Sequence, residues 1–170
     1  MKTLVIHPSD PTTDFLKVIY EGKGWTTIRT SVPKRVLKES ILAHDRIVML
    51  GHGTEKGLAN SKWDGVITSD LVYLLREKLC VAIWCNANVF FEKYDLKGFY
   101  TGMIISEYDE AIYCCVNTTY HEISESNLLF ASSIAKAIDS DDMLAVAKKA
   151  YISEGLNRTM DYNDKNLFYR

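Results

Sequence analysis

Apolar residues along this chain come in short unbroken runs, separated by segments where they recur at every third or fourth position. Leu4-Val5-Ile6, Arg46–Leu50, Cys80–Trp84 and Phe99–Ser106 predict strands, and the more mixed Trp25–Arg29 predicts another. Between them lie helical patterns. Thr12–Tyr20 puts Phe15, Val18 and Ile19 on one face, and Pro33 opens a helix to about Leu42 with Leu37 and Ile41 inward. Ser69–Lys78 lines up Leu71, Leu74 and Leu75, and Ala87–Tyr94 is short. Tyr108, Ala111, Ile112 and Cys115 are spaced as one helix face, and two further helices are expected near Ser124–Ile138 and Asp141–Glu154. Thr54–Ile67, with Gly57, Asn60, Ser61 and Gly65, predicts an irregular loop with room for a small hairpin; from Thr159 on, a loosely held tail is expected.

Strands alternating with helices predict an α/β fold of three layers, a mostly parallel sheet covered by helices on both faces. Unbroken apolar runs suit strands buried on both sides. With strand order 2-1-3-4-5 the whole chain, residues 1–170, forms a single domain large enough for a sizeable core.

Composition narrows the function classes. With 47% hydrophobic and 25% charged residues, the chain reads as globular. A formal net charge of −2 gives no broad basic face, so neither nucleic acid nor an anionic membrane is the expected partner. No run approaches the roughly 18 apolar residues of a membrane span. The first apolar stretch is too short for a signal peptide and runs into Pro8, so a cytoplasmic location is expected. Cys80, Cys85, Cys114 and Cys115 show no CxxC spacing and are expected as free thiols, with Cys80 and Cys115 in the core and Cys114 half exposed.

The strand endings carry the candidate chemistry. Ligands of open parallel sheets collect at the carboxyl ends of the strands. The first predicted strand ends at His7, the third at Gly51-His52-Gly53 and the fourth at Cys85. An imidazole and a thiol on neighbouring strand ends form a candidate Cys–His dyad. The two glycines let the backbone turn and approach a ligand closely. The Gly53 amide, with the Cys85 amide at the start of a short helix, offers an oxyanion hole.

The run Ile47-Val48-Met49-Leu50-Gly51-His52-Gly53, followed by Ala82-Ile83-Trp84-Cys85-Asn86-Ala87, resembles the caspase-like clan of cysteine peptidases. That clan comprises caspases, metacaspases, legumain, gingipain and separase, and the likeness is greatest to small bacterial or phage-encoded members of unknown role. The separation of 33 positions between His52 and Cys85 is shorter than the roughly 50 of caspases, and the caspase signature around the cysteine is absent. The resemblance covers about residues 1–115. It implies that Cys85 is the nucleophile, His52 the general base and acid, and the amides of Gly53 and Cys85 the oxyanion hole. It implies hydrolysis of a peptide bond in a peptide or protein substrate through an acyl-enzyme, with no cofactor. Specificity does not carry over; Asp10, Asp64 and Glu107 are acidic residues on nearby loops that would favour Arg or Lys next to the cleaved bond.

Other readings of the same residues stand beside this one. The rim of His52 and Cys85 also suits a catalytically inert caspase-like module that binds a ligand or regulatory partner. His7, His52 and Cys85 could ligate zinc, but no closely spaced ligand pair supports it, so no metal is expected. His7 is expected in the loop facing the cleft, Trp63 in a loop forming one wall, and Asn86 beside the cysteine, with Asn86 equally readable as a helix cap. There is no P-loop and no GxGxxG, and Gly51-His52 stands where a phosphoreceiver would need an aspartate.

Overall fold

The computed structural model describes residues 1–153 and 155–170. Its main sheet has the order β2-β1-β3-β7-β8-β9, where β1 is Thr3–Ile6, β2 Thr26–Ile28, β3 Arg46–Leu50, β7 Leu79–Ile83, β8 Gly98–Thr101 and β9 Leu167–Tyr169. The first five strands are mutually parallel and β9 runs antiparallel along β8. A second sheet, β4 (His52–Thr54), β5 (Gly57–Ala59) and β6 (Gly65–Ile67), is antiparallel. It occupies the stretch expected to be an irregular loop.

Alternate residues of each buried run feed two cores, which is why the runs are unbroken. Leu4, Ile6, Ile47, Met49, Ala82 and Trp84 point to one face, against Leu37 and Ile41 of α1 (Lys34–Leu42), the leucines of α2 (Val72–Leu75), Phe90 and Phe91 of α3 (Ala87–Tyr94), and the small sheet. Val5, Val48, Leu50, Val81, Ile83 and Phe99 point to the other face. There they meet α5 (Tyr120–Ala137), α6 (Met143–Tyr151) and a 3-10 helix at Pro11–Ile19. The remaining helices are α4 (Tyr108–Tyr113) and α7 (Arg158–Asp164). Among the described residues no helix is long and apolar enough to cross a membrane.

Several expectations are corrected. Residues 11–19 form a 3-10 helix rather than an α-helix: Thr13, Leu16 and Ile19 are buried at a spacing of three, the 3-10 period, and Val18 is exposed. The helix expected over Ser69–Lys78 is a 3-10 turn (Ser69–Leu71) running into the short α2. The fifth predicted strand stops at Thr101. The helix expected over Asp141–Glu154 is observed as Met143–Tyr151, capped by Asp142, whose side chain accepts from the Ala145 amide; Glu154 itself lies outside the described residues. The tail is tied down: Leu167 is buried in β9, and Gly98 and Arg170 exchange backbone hydrogen bonds at 2.9 and 3.1 Å. Cys114 is half-buried, as expected, but Cys115 is exposed rather than in the core. α4 ends at Tyr113, and Cys115 adopts φ of 55°, so the helical face does not run on to it.

Candidate functional site

Beyond Leu50 the pairing of β3 with β7 continues for one more bond, from the Gly51 amide to the Ile83 carbonyl at 3.0 Å. Gly51 then turns the chain at φ of 138°, a conformation that side-chain-bearing residues rarely adopt. His52 enters β4 there, half-buried. Its Nε2 lies 2.7 Å from Thr12 Oγ1 and 3.9 Å from Asp10 Oδ1. Asp10 caps the 3-10 helix, accepting from the Thr12 amide at 2.9 Å and from the Thr12 hydroxyl at 2.7 Å. Those two bonds, the side-chain one first, hold the Asp10 carboxyl below the usual carboxylate range.

The ring of Trp63 sits 5.9 Å from that of His52. Its placement comes from the β5–β6 turn. Asn60 Oδ1 accepts from the Lys62 and Asp64 amides, the Asn60 carbonyl accepts from the Trp63 amide, and Trp63 adopts φ of 64°. A bulky residue in the left-handed region costs about 1 kcal/mol or more, here at the tip of the small sheet and beside His52. Trp63 remains 65% exposed.

Cys85 is surrounded differently. Its sulfur lies 3.6 Å from the Ile104 carbonyl oxygen and 3.5 Å from Glu110 Oε1, two acceptors within reach of its single proton. The other Glu110 oxygen accepts from the Ser106 amide (2.7 Å), the Ser106 hydroxyl (2.9 Å) and the Glu107 amide (3.0 Å), which fixes the carboxylate at the start of α4. Burial, then the Glu110 charge, push the Cys85 thiol well above the usual thiol range. Glu107, capping α4, has its carboxyl raised by burial and next by the Glu110 charge, while His52 pulls it the other way.

The sheet aligns the two candidate residues. β3 and β7 pair with an offset of 33, from Arg46 with Leu79 to Leu50 with Ile83. The same offset separates His52 and Cys85, each two residues past the last paired position. The side chains have different partners, however: His52 bonds Thr12, and the thiol faces Ile104 and Glu110.

The other predicted residues fall as follows. His7 does not line the cleft. It is fully buried, bonded to Tyr20 Oη at 3.0 Å and Thr13 Oγ1 at 3.2 Å, and burial, then the Arg29 charge, lower its pKa to about 4. With both ring nitrogens engaged away from Cys85, the His7–His52–Cys85 zinc reading fails. Gly53 pairs with Leu58 in β4, and a Cβ there would come within 2.3 Å of the Trp84 ring; close packing under Trp84 explains this glycine. Asn86 precedes α3 at φ of 66°, and its amide donates to the Gly102 carbonyl. Asp64 is tied to Asn60 in the β5–β6 turn. A cleft of about 580 Å³ opens at the ends of β1 and β2, lined by Ile6, Ile28, Leu71, Ser9, Lys62 and Asp64; neither His52 nor Cys85 lines it.

Thr12 and Glu110 were not among the predicted residues. Both had a local signal: Asp10-Pro11-Thr12 is a helix start with a cap and a first-turn proline, and Glu107 and Glu110 have the spacing of a cap and its third helical residue.

No family model matches this chain, and no curated protein matches it. Among solved structures it is similar to the Trp repressor binding protein from Bacillus subtilis, at 13% identity and a TM-score of 0.39, over 59% of this chain and 81% of that one.

Proposed function

We propose that this chain is a caspase-like cysteine hydrolase that cleaves a peptide bond through Cys85 and His52, and that it rests with its thiol turned toward Glu110. The shared strand offset carries this reading: His52 and Cys85 each follow by two positions the last paired residues, Leu50 and Ile83, of adjacent parallel strands. The order of the parallel strands, β2-β1-β3-β7-β8, supports it as well. Rotation of the Cys85 side chain away from Glu110 would free the thiol. Its proton passes to His52, the sulfur attacks the scissile carbonyl, and the C–N bond breaks as His52 returns the proton to the leaving amine. Water then hydrolyses the thioester, giving the acid and free thiol. The amides of Gly53 and Cys85 are the proposed oxyanion donors.

One observation favours an inert binding module on the same rim: a buried thiol beside a carboxylate is a poor thiolate. The rate of iodoacetamide labelling at each cysteine from pH 5 to 9, in wild type and His52→Ala, separates the two. Under the hydrolase reading Cys85 acquires a labelling phase that His52→Ala removes, and a quenched-peptide library is cleaved by wild type but not by Cys85→Ser. Labelling of Cys85 that is indifferent to His52, with no cleavage, would transfer the reading to the binding module.

A further inference from the structure

We infer that Asp10 and Thr12 are positioning residues that hold neutral His52 as its Nε2–H tautomer, leaving Nδ1 with the lone pair. The inference rests on reading His52 as the base of the proposed hydrolase, and it follows from counting protons along one chain of hydrogen bonds. A hydroxyl has a single proton to donate. Thr12 Oγ1 lies 2.7 Å from Asp10 Oδ1 and 2.7 Å from His52 Nε2. The Asp10 carboxylate also accepts from the Thr12 amide, and its pKa is lowered, so at neutral pH it is ionised and can only accept. The Thr12 proton is therefore committed to Asp10. Toward His52 the hydroxyl can only accept, and Nε2 must carry a hydrogen.

This assigns the ring without any view of its protons. A neutral imidazole with Nε2–H has its basic lone pair on Nδ1, and among the described residues nothing hydrogen-bonds Nδ1. A base whose lone pair is spoken for cannot take a thiol proton; one whose opposite nitrogen is pinned presents it at all times. The arrangement does with two side chains what an aspartate does directly in a catalytic triad. It sits on the loop after β1, on the β1 side of His52, while Cys85 follows the strand on the β7 side. The charged groups facing His52 are Asp10 from that loop and Glu107 from the cap of α4. Neither competes as a hydrogen-bond donor to the ring when ionised.

The test reads the ring nitrogens directly. Long-range proton–nitrogen correlation spectra at a pH where His52 is neutral report the tautomer of each of the four histidines; His52 is assigned from the signals missing in His52→Gln. Wild type is expected to show the Nε2–H pattern. Thr12→Val, at an exposed position and so tolerated by the fold, should shift His52 toward a mixture, and Thr12→Ser should restore the single form. Asp10→Asn should also loosen the preference, since an amide can donate to the hydroxyl and release its proton toward the ring. Predominant Nδ1–H in wild type, or a tautomer unchanged in both Thr12→Val and Asp10→Asn, would overturn the inference. Because no substrate is present, this outcome is independent of whether Cys85 hydrolyses peptides. If hydrolysis is found, Thr12→Val should lower kcat with little change in KM, and Thr12→Ser should recover it.

Discussion

His52 and Cys85 are both half-buried, but His52 is steadied by Thr12 from the loop after β1, whereas the Cys85 thiol is turned toward a carboxylate at the start of α4. Under the proposed hydrolysis the first half would handle proton transfer, while the second keeps a proton on the thiol. Hydrogen bonds do the work in both halves, and the difference is their sign. Thr12 accepts from the imidazole and leaves its other nitrogen basic, while Glu110 accepts from the thiol and disfavours its ionisation.

The largest effect expected from breaking this comparison is on turnover. Cys85→Ser should lower peptide cleavage by about 10⁴-fold or more, and His52→Ala by about 10²- to 10⁴-fold, both measured against a quenched peptide with folding checked by circular dichroism. Equal activity in either variant would move the chemistry elsewhere.

The next effect concerns the buried imidazole beneath the His52 half. His7 has a folded-state pKa of about 4 against 6.5 ordinarily. Between those values the unfolded chain binds the proton and the folded chain does not. This contribution to stability is therefore complete above about pH 6.5, is lost as the pH falls, and changes no further below about pH 4. The loss approaches about 3 kcal/mol, seen as a falling urea midpoint. His7→Gln should flatten that slope, leaving only the part due to carboxylates.

The thiol half responds more modestly. Glu110→Gln keeps a side chain able to accept from the Ser106 and Glu107 amides while removing the charge beside the thiol. Cys85 should label about tenfold faster at neutral pH, the consequence of a fall of one pKa unit; Cys80, buried with its thiol pushed up to about 12, serves as the internal control and should not change. The smallest effect belongs to Trp63. Trp63→Ala should raise KM severalfold for a peptide that contacts this wall and leave stability within about 0.5 kcal/mol, since the ring is mostly in solvent.

The sheet was legible because its strands are buried on both faces: Ile47-Val48-Met49-Leu50 and Val81-Ala82-Ile83-Trp84 each serve two cores, and no other element needs such runs. Elements held by tertiary contacts were not. β9 has only Leu167 fully inside and depends on pairing with Phe99–Thr101 of β8, and β4–β6 are three residues each, too short for a periodic signal. In the site, types and strand positions could be read, so His52 and Cys85 lie where expected. The direction of each side chain could not. His7 belongs to the core because Tyr20 and Thr13 offer it partners inside, and the thiol's facing depends on Glu110, 25 residues downstream.

Asn163 of α7 is buried and grips the backbone of Ile105 at both ends, accepting from its amide at 2.7 Å and donating to its carbonyl at 2.9 Å. Ile105 lies between Ile104, whose carbonyl is within reach of the thiol proton, and Ser106, which anchors Glu110. The cover over Cys85 is thereby fastened from the far end of the chain. Local unfolding of α7 would therefore loosen residues 104–106 and, with them, the Ile104 carbonyl and the Ser106 anchor of Glu110, at the free energy of that opening rather than that of the whole protein.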